Sequence, residues 1–184
     1  DMSEGAKAYC SSVCCMYATK EAVIAKEHQP DLETHIYFMD MRTFGKDFEK
    51  YYNRAKEEHG VIYRRCRIPR IEQDRESKNL IIRHVDDDGK VKEERYDMVV
   101  LSVGLQPCKA LGDLSNLLKV NLNQYGFIET DPYFKILTTR KGVYTSGTAS
   151  EPKDIPESVA QASAAAAEAA KDIAEVRGTE ILEK

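Results

Sequence analysis

One run limits the fold of this chain more than any other. Asp97-Met98-Val99-Val100-Leu101-Ser102-Val103-Gly104 is apolar almost without a break and ends on glycine. A strand with one wet face alternates apolar and polar side chains, whereas a strand covered on both faces need not. The run therefore predicts a strand inside a parallel sheet, with helices packed against it. Suitable partners surround it. His35-Ile36-Tyr37-Phe38-Met39 reads as a short buried strand, residues 44–59 as an amphipathic helix stopped at Gly60, and Val61-Ile62-Tyr63 as the start of another strand. Strand, helix and strand in that order imply a right-handed parallel crossover.

The remaining periodicities complete an α/β pattern. Residues 5–29 read as a helix that Pro30 ends. Residues 67–74, 79–85 and 90–96 alternate in polarity, and Asp86-Asp87-Asp88-Gly89 is a hairpin turn signal between the last two. These three predict a small antiparallel meander. Gly142-Val143-Tyr144-Thr145-Ser146-Gly147 reads as a further short strand, and residues 155–176 as a long alanine-rich helix.

Composition narrows the function classes. A chain of 184 residues makes one domain or two small ones, and 42% apolar side chains suit a folded core. With 31 acidic against 27 basic residues the net charge is −4, where a nucleic-acid partner would call for a basic face. The longest apolar run is far too short to span a bilayer, and no secretory signal leads the chain. The first residue is Asp1, so a piece of a longer protein is expected. An odd count of five cysteines without such a signal reads as reduced thiols in the cytoplasm.

Three of those cysteines, Cys10, Cys14 and Cys15, crowd into six residues. On a continuous helix Cys10 and Cys14 share a face, with Cβ atoms about 5–6 Å apart. Converging thiolates suit an iron–sulfur cluster or zinc, because soft sulfur ligands favour both. The plainer role of cysteine is a small buried hydrophobe. A cubane takes four thiolates, and Cys66, Cys108 or a cysteine upstream of Asp1 would have to complete the set.

A second constellation opens the last helix. Asp154 followed by Glu157 is a capping box with Pro156 in the first turn, and Gly147 precedes it at the end of the predicted strand. Strand end, glycine turn and helix N-terminus together make an anion site. The plainer reading is a well-capped helix packed on a sheet. Ala164-Ala165-Ala166-Ala167 leaves one face nearly flat. No G-x-G-x-x-G, P-loop, H-E-x-x-H or G-x-S-x-G pattern occurs, and the aspartates at 86–88 lack the later glutamate of a calcium loop.

Cys10-x-x-x-Cys14-Cys15-Met16-Tyr17-Ala18-x-Lys20-Glu21-Ala22 resembles a signature of the heterodisulfide reductase A-subunit family. Pro152-Lys153-Asp154-Ile155-Pro156-Glu157-Ser158-Val159-Ala160-Gln161-Ala162-Ser163-Ala164-Ala165-Ala166 resembles a second, and the likeness covers almost the whole chain. The resemblance implies a thioredoxin-reductase-like flavoprotein with Rossmann-type domains, FAD between them and a [4Fe–4S] cluster on an inserted Cys-rich helix. This chain would be the C-terminal part of the flavin core, an incomplete Rossmann-like three-layer fold with the meander. Residues 1–103 would be the nucleotide-domain-like insert and 104–184 the returning FAD-domain segment.

By the same resemblance Cys10, Cys14 and Cys15 are three cluster ligands, with the fourth upstream. Gly104, Gly147, Thr148, Pro152, Lys153, Asp154, Ile155 and Pro156 form the flavin segment, although ordinary flavin disulfide reductases carry aspartate where Thr148 stands. Lys20 is assigned to the redox edge of the flavin ring. The implied function is an electron-transferring flavin/iron–sulfur component working with the other components of a heterodisulfide reductase-type complex. Alternatives are a pyridine-nucleotide-dependent disulfide reductase and a zinc-stabilised interaction module. The missing pyrophosphate loop predicts weak or absent FAD binding by this piece alone, and the missing fourth ligand predicts that the cluster is absent from it. The missing half of the core predicts exposed apolar surface that favours self-association.

Overall fold

The computed structural model describes residues 7–85 and 88–176, which form an α/β fold in two compact units. One unit holds residues 14–103. The other joins the residues before Cys14 to those after Val103.

In the first unit α1 (Cys14–His28), β1 (His35–Phe38), α2 (Phe48–Glu57) and β2 (Ile62–Arg65) follow one another. β1 and β2 pair in parallel, with His35 opposite Ile62 and Phe38 opposite Arg65, as the crossover requires. Val23 of α1, Ala55 of α2 and Val61 are each at most 2% exposed and pack together with Ile36, Tyr51 and Tyr63. Gly60 lets the chain leave α2 at a φ of +64°, a left-handed turn that suits glycine. β3 (Arg70–Gln73), β4 (Leu80–Val85) and β5 (Val91–Tyr96) then form the antiparallel meander. Asp86 and Asp87 of the expected hairpin turn lie outside the described residues.

The two sheets of this unit meet through polar side chains. Glu94 of β5 accepts hydrogen bonds from Tyr37 of β1 (2.7 Å) and from Tyr96, while its other oxygen stands 3.2 Å from Nε2 of His84 and 3.4 Å from the Arg64 guanidinium. Tyr96 also meets Nδ1 of His35 at 2.8 Å. Burial by itself would raise the Glu94 pKa, but hydrogen bonds from Tyr96, Tyr37 and His84, with Arg64 beside them, bring it down to about 2. The same burial pushes Tyr96 up to about 12 and raises Tyr37 further.

In the second unit α3 (Leu111–Leu118) precedes a stretch held by isolated bridges, Leu122 to Ile128, Thr130 to Thr138 and Leu137 to Tyr144. A 3-10 turn (Gly147–Ala149) leads into α4 (Ile155–Val176). Leu111, Val120 and Ile128 make the core, with Leu118, Val143 and Ala149 against it.

Three expectations are corrected. The helix expected over residues 5–29 is shorter among the described residues: α1 begins at Cys14, and Cys10 lies in irregular chain. Tyr9 Oη donates to the Leu105 carbonyl at 3.0 Å, and the Leu105 N–H donates to Ser11 Oγ at 2.8 Å. These bonds hold residues 9–11 against 104–105, and Ser12 breaks the helical path at a φ of 64°. Residues 97–104 form no strand. Met98, Val100, Leu101 and Val103 are 68–76% exposed, and among the described residues no neighbour supplies the ladder such a run needs. Residues 142–147 likewise give one bridge at Tyr144 instead of a strand.

Candidate functional site

The sequence-predicted residues fall on two stretches, one in each unit. Cys14 and Cys15 open α1. Thr19, one turn on, is fully buried, and its hydroxyl donates to the Cys15 carbonyl at 2.8 Å while receiving the Tyr63 hydroxyl at 3.2 Å. Ser102 donates to the Cys14 carbonyl at 3.0 Å. The start of α1 is thereby fixed from two sides.

Cys15 Sγ receives the backbone N–H of Arg42 at 3.4 Å and lies 3.7 Å from the Asp40 carbonyl. The hydrogen bond from the Cys14 thiol lowers the Cys15 pKa most. Burial works against it, and the Arg42 N–H and guanidinium add to it, leaving the thiol at about 6. The lowering favours the thiolate of Cys15, the form that ligates metals and attacks disulfides. Lys20 follows on the next turn of α1, exposed to solvent.

Cys10 belongs to the other unit. Its Sγ accepts the Ser12 N–H at 3.3 Å, and it lines a cavity of about 390 Å³ together with Tyr9, Asn123, Tyr125, Glu151 and Lys153. Tyr9 closes edge-on against Tyr125 and Phe127, with ring centroids 5.2 and 5.5 Å away. No disulfide joins any of the five cysteines. Among the described residues no three His, Cys, Asp or Glu side chains gather closely enough to hold a metal ion. The donor set at Cys14 and Cys15, two adjacent soft sulfurs with one favoured as thiolate, fits an iron–sulfur group or zinc and needs further thiolates to complete it.

The stretch 147–156 is built around α4. Gly147 takes a φ of +63°, its N–H donates to Gln161 Oε1 at 3.0 Å, and an added Cβ would stand 3.4 Å from Ser158 Oγ. The capping box forms as expected: Glu157 N–H donates to Asp154 Oδ1 at 2.7 Å and Asp154 N–H to Glu157 Oε2 at 3.4 Å. Pro156 has no N–H and the Ser158 N–H goes to the Asp154 carbonyl. The helix dipole therefore remains available to an anion, but few N–H groups of the first turn do.

Thr148, Ile155 and Pro156 are exposed, Pro152 and Asp154 are half-buried, and Lys153 turns inward. Its ammonium is buried and donates to Glu151 at 2.6 Å and Ser150 Oγ at 3.2 Å. Gly104 is required by close approach: a Cβ there would sit 2.1 Å from Ser11 Oγ.

Sequence reasoning missed the 39–42 turn as a partner of Cys15, and it missed Arg65. The basic run 64–67 carries the signal. Arg65 donates through Nε to the Met39 carbonyl (3.1 Å) and through its guanidinium to Asp40 Oδ1 (3.2 Å), whereas Arg64 goes to Glu94 and His35.

No helix among the described residues is long and apolar enough to cross a membrane. Curated relatives share this sequence closely. An iron-sulfur A-subunit of CoB–CoM heterodisulfide reductase from Methanopyrus kandleri is 44% identical over 169 residues, 90% of this chain and 26% of that protein. The corresponding protein from Methanocaldococcus jannaschii is 44% identical over 164 residues, 87% of this chain and 25% of its own. The A-subunit of the ferredoxin:CoB–CoM heterodisulfide reductase of Methanosarcina acetivorans is 35% identical over 173 residues, 92% of this chain and 21% of its own. The chain thus spans about a quarter of the length of the curated relatives it matches. The model of the family described as pyridine nucleotide-disulphide oxidoreductase matches residues 15–169, from the start of α1 into α4, and the chain belongs to that family of oxidoreductases.

Proposed function

We propose that this chain is the part of a heterodisulfide reductase A-subunit-type protein in which an FAD and a [4Fe–4S] cluster exchange electrons, within a cytoplasmic complex of several different proteins. The observation that carries the reading is the Cys14–Cys15 pair at the head of α1, with the Arg42 N–H directed at Cys15 Sγ from 3.4 Å. The 44% identity to relatives named as iron–sulfur proteins supports it.

In this reading Cys14 and Cys15 bind the cluster with Cys10 and a fourth thiolate from outside the chain. The cluster, when bound, accepts and releases single electrons. Gly104 and residues 147, 148 and 152–156 make the wall that faces the flavin, and residues 1–103 and 104–184 are the two halves divided between insert and FAD domain. The dipole of α4 favours negative charge at its N-terminus, worth roughly 0.3–1 kcal/mol at an exposed site. Lys20 extends from α1 as a flexible point charge that follows the changing charge of the ring. Lys153 serves from inside the wall, because its ammonium is already committed to Glu151 and Ser150.

The family match also favours a pyridine-nucleotide-dependent disulfide reductase, for which Cys15 would be the attacking thiolate. Zinc at the same thiols would give a colourless interaction module. One experiment separates the three. In the longer protein that carries this segment, Cys14→Ser should remove about four irons and the broad visible absorbance of the cubane. Lys20→Met should keep the iron and lower the flavin midpoint potential. Iron content unchanged by Cys14→Ser, or zinc in place of iron, overturns the reading.

A further inference from the structure

The sulfur of Cys15 does not stand in an open site. It faces the turn 39–42, and that turn is held by a residue that sequence order alone would not assign to it. β1 ends at Phe38, paired with Arg65 at the end of β2, and the Cys66 N–H donates to the Phe38 carbonyl at 2.9 Å. The chain leaves this last rung and turns immediately. Arg65 reaches over the turn and holds both its Met39 carbonyl, at 3.1 Å from Nε, and its Asp40 carboxylate, at 3.2 Å. Two residues later the Arg42 N–H points at Cys15 Sγ from 3.4 Å. The sequence of contacts is therefore β2, Arg65, turn, N–H and sulfur, all within one compact unit.

We infer that Arg65 is a positioning residue that fixes the Arg42 N–H on Cys15 Sγ and thereby sets the reduction potential of the iron–sulfur group ligated there. The inference rests on the reading of Cys15 as a ligand. Its physical basis is general. An N–H donated to a ligating sulfur draws electron density from it and stabilises the more negative, reduced state, so each such bond raises the potential. A backbone N–H does this only while the backbone is held, and a turn outside any sheet has little else to hold it. The Arg65 and Asp40 side chains are 72% and 64% exposed. Their ion pair is therefore worth little to folding, and its removal should leave the unit intact. The step would be the transfer of one electron from the reduced flavin of the proposed function to the oxidised iron–sulfur group: the flavin is oxidised as that group is reduced.

The test is a redox titration of the holoprotein followed by the electron paramagnetic resonance of the reduced cluster, with iron measured in every sample. Arg65→Gln should keep its iron and titrate at a more negative potential than wild type. Arg42→Ala retains the N–H but loses the guanidinium, and Arg42→Pro loses both; the proline variant should titrate below the alanine variant. Should Arg42→Pro fail to fold, Arg65→Gln still decides. Full iron with an unmoved potential in Arg65→Gln overturns the inference and leaves the assignment of the ligand standing. A wild-type protein without any cluster signal overturns that assignment and the inference with it.

Discussion

Glu94 shows what single residues contribute to this unit and how to measure it. Its carboxylate accepts from two tyrosine hydroxyls and faces His84 and Arg64, and these partners hold its pKa at about 2 against an ordinary value of 4.5. A carboxylate whose pKa is depressed by folding stabilises the fold above its unfolded pKa, and the gain is lost as pH falls through the folded value. With solvent screening allowed for, the contribution is on the order of 2 kcal/mol at neutral pH. Stability of the 14–103 unit should therefore drop between about pH 4.5 and pH 2. Denaturant midpoints measured across that window should fall steeply in wild type and much less in Glu94→Gln, which is already weaker at pH 7. Parallel curves for the two proteins would show that Glu94 gains nothing from its partners.

At the scale of elements, α4 is the clearest case of local sequence deciding structure. Asp154 and Glu157 exchange their hydrogen bonds, and Pro156 supplies the first turn. Asp154→Ala should cost about 1 kcal/mol, read as a lower thermal midpoint, while Asp154→Ser should recover most of it. No difference between alanine and serine would mean that tertiary contacts alone hold the helix end. The elements with local signals were legible in sequence: α2 from its apolar spacing, α4 from its caps, and the β1–β2 crossover and meander from their periodicities. Where long-range contacts decide, the reading failed. Residues 7–13 carry helix-compatible side chains, yet Tyr9 and Ser11 bond to Leu105, far along the chain, and α1 waits until Cys14. Arg65 had the same ambiguity, since a basic run does not say which carbonyls it will meet.

The whole molecule explains the remaining misreading. Residues 97–104 have the composition of a central strand, but within this chain their side chains stay mostly exposed. Ile155, Val159 and Ile173 of α4 are 60–80% exposed as well. A chain that spans about a quarter of its relatives' length presents apolar surface that its own elements do not cover. The proposed function at this scale is electron exchange between flavin and cluster. The direct test is to reduce the flavin of the holoprotein rapidly and follow the flavin by absorbance and the cluster by freeze-quench paramagnetic resonance. In wild type the reduced flavin should be reoxidised at the rate at which the cluster signal grows, and in Cys14→Ser the flavin should stay reduced over the same interval. Flavin traces that are identical in the two proteins would contradict electron exchange at this site.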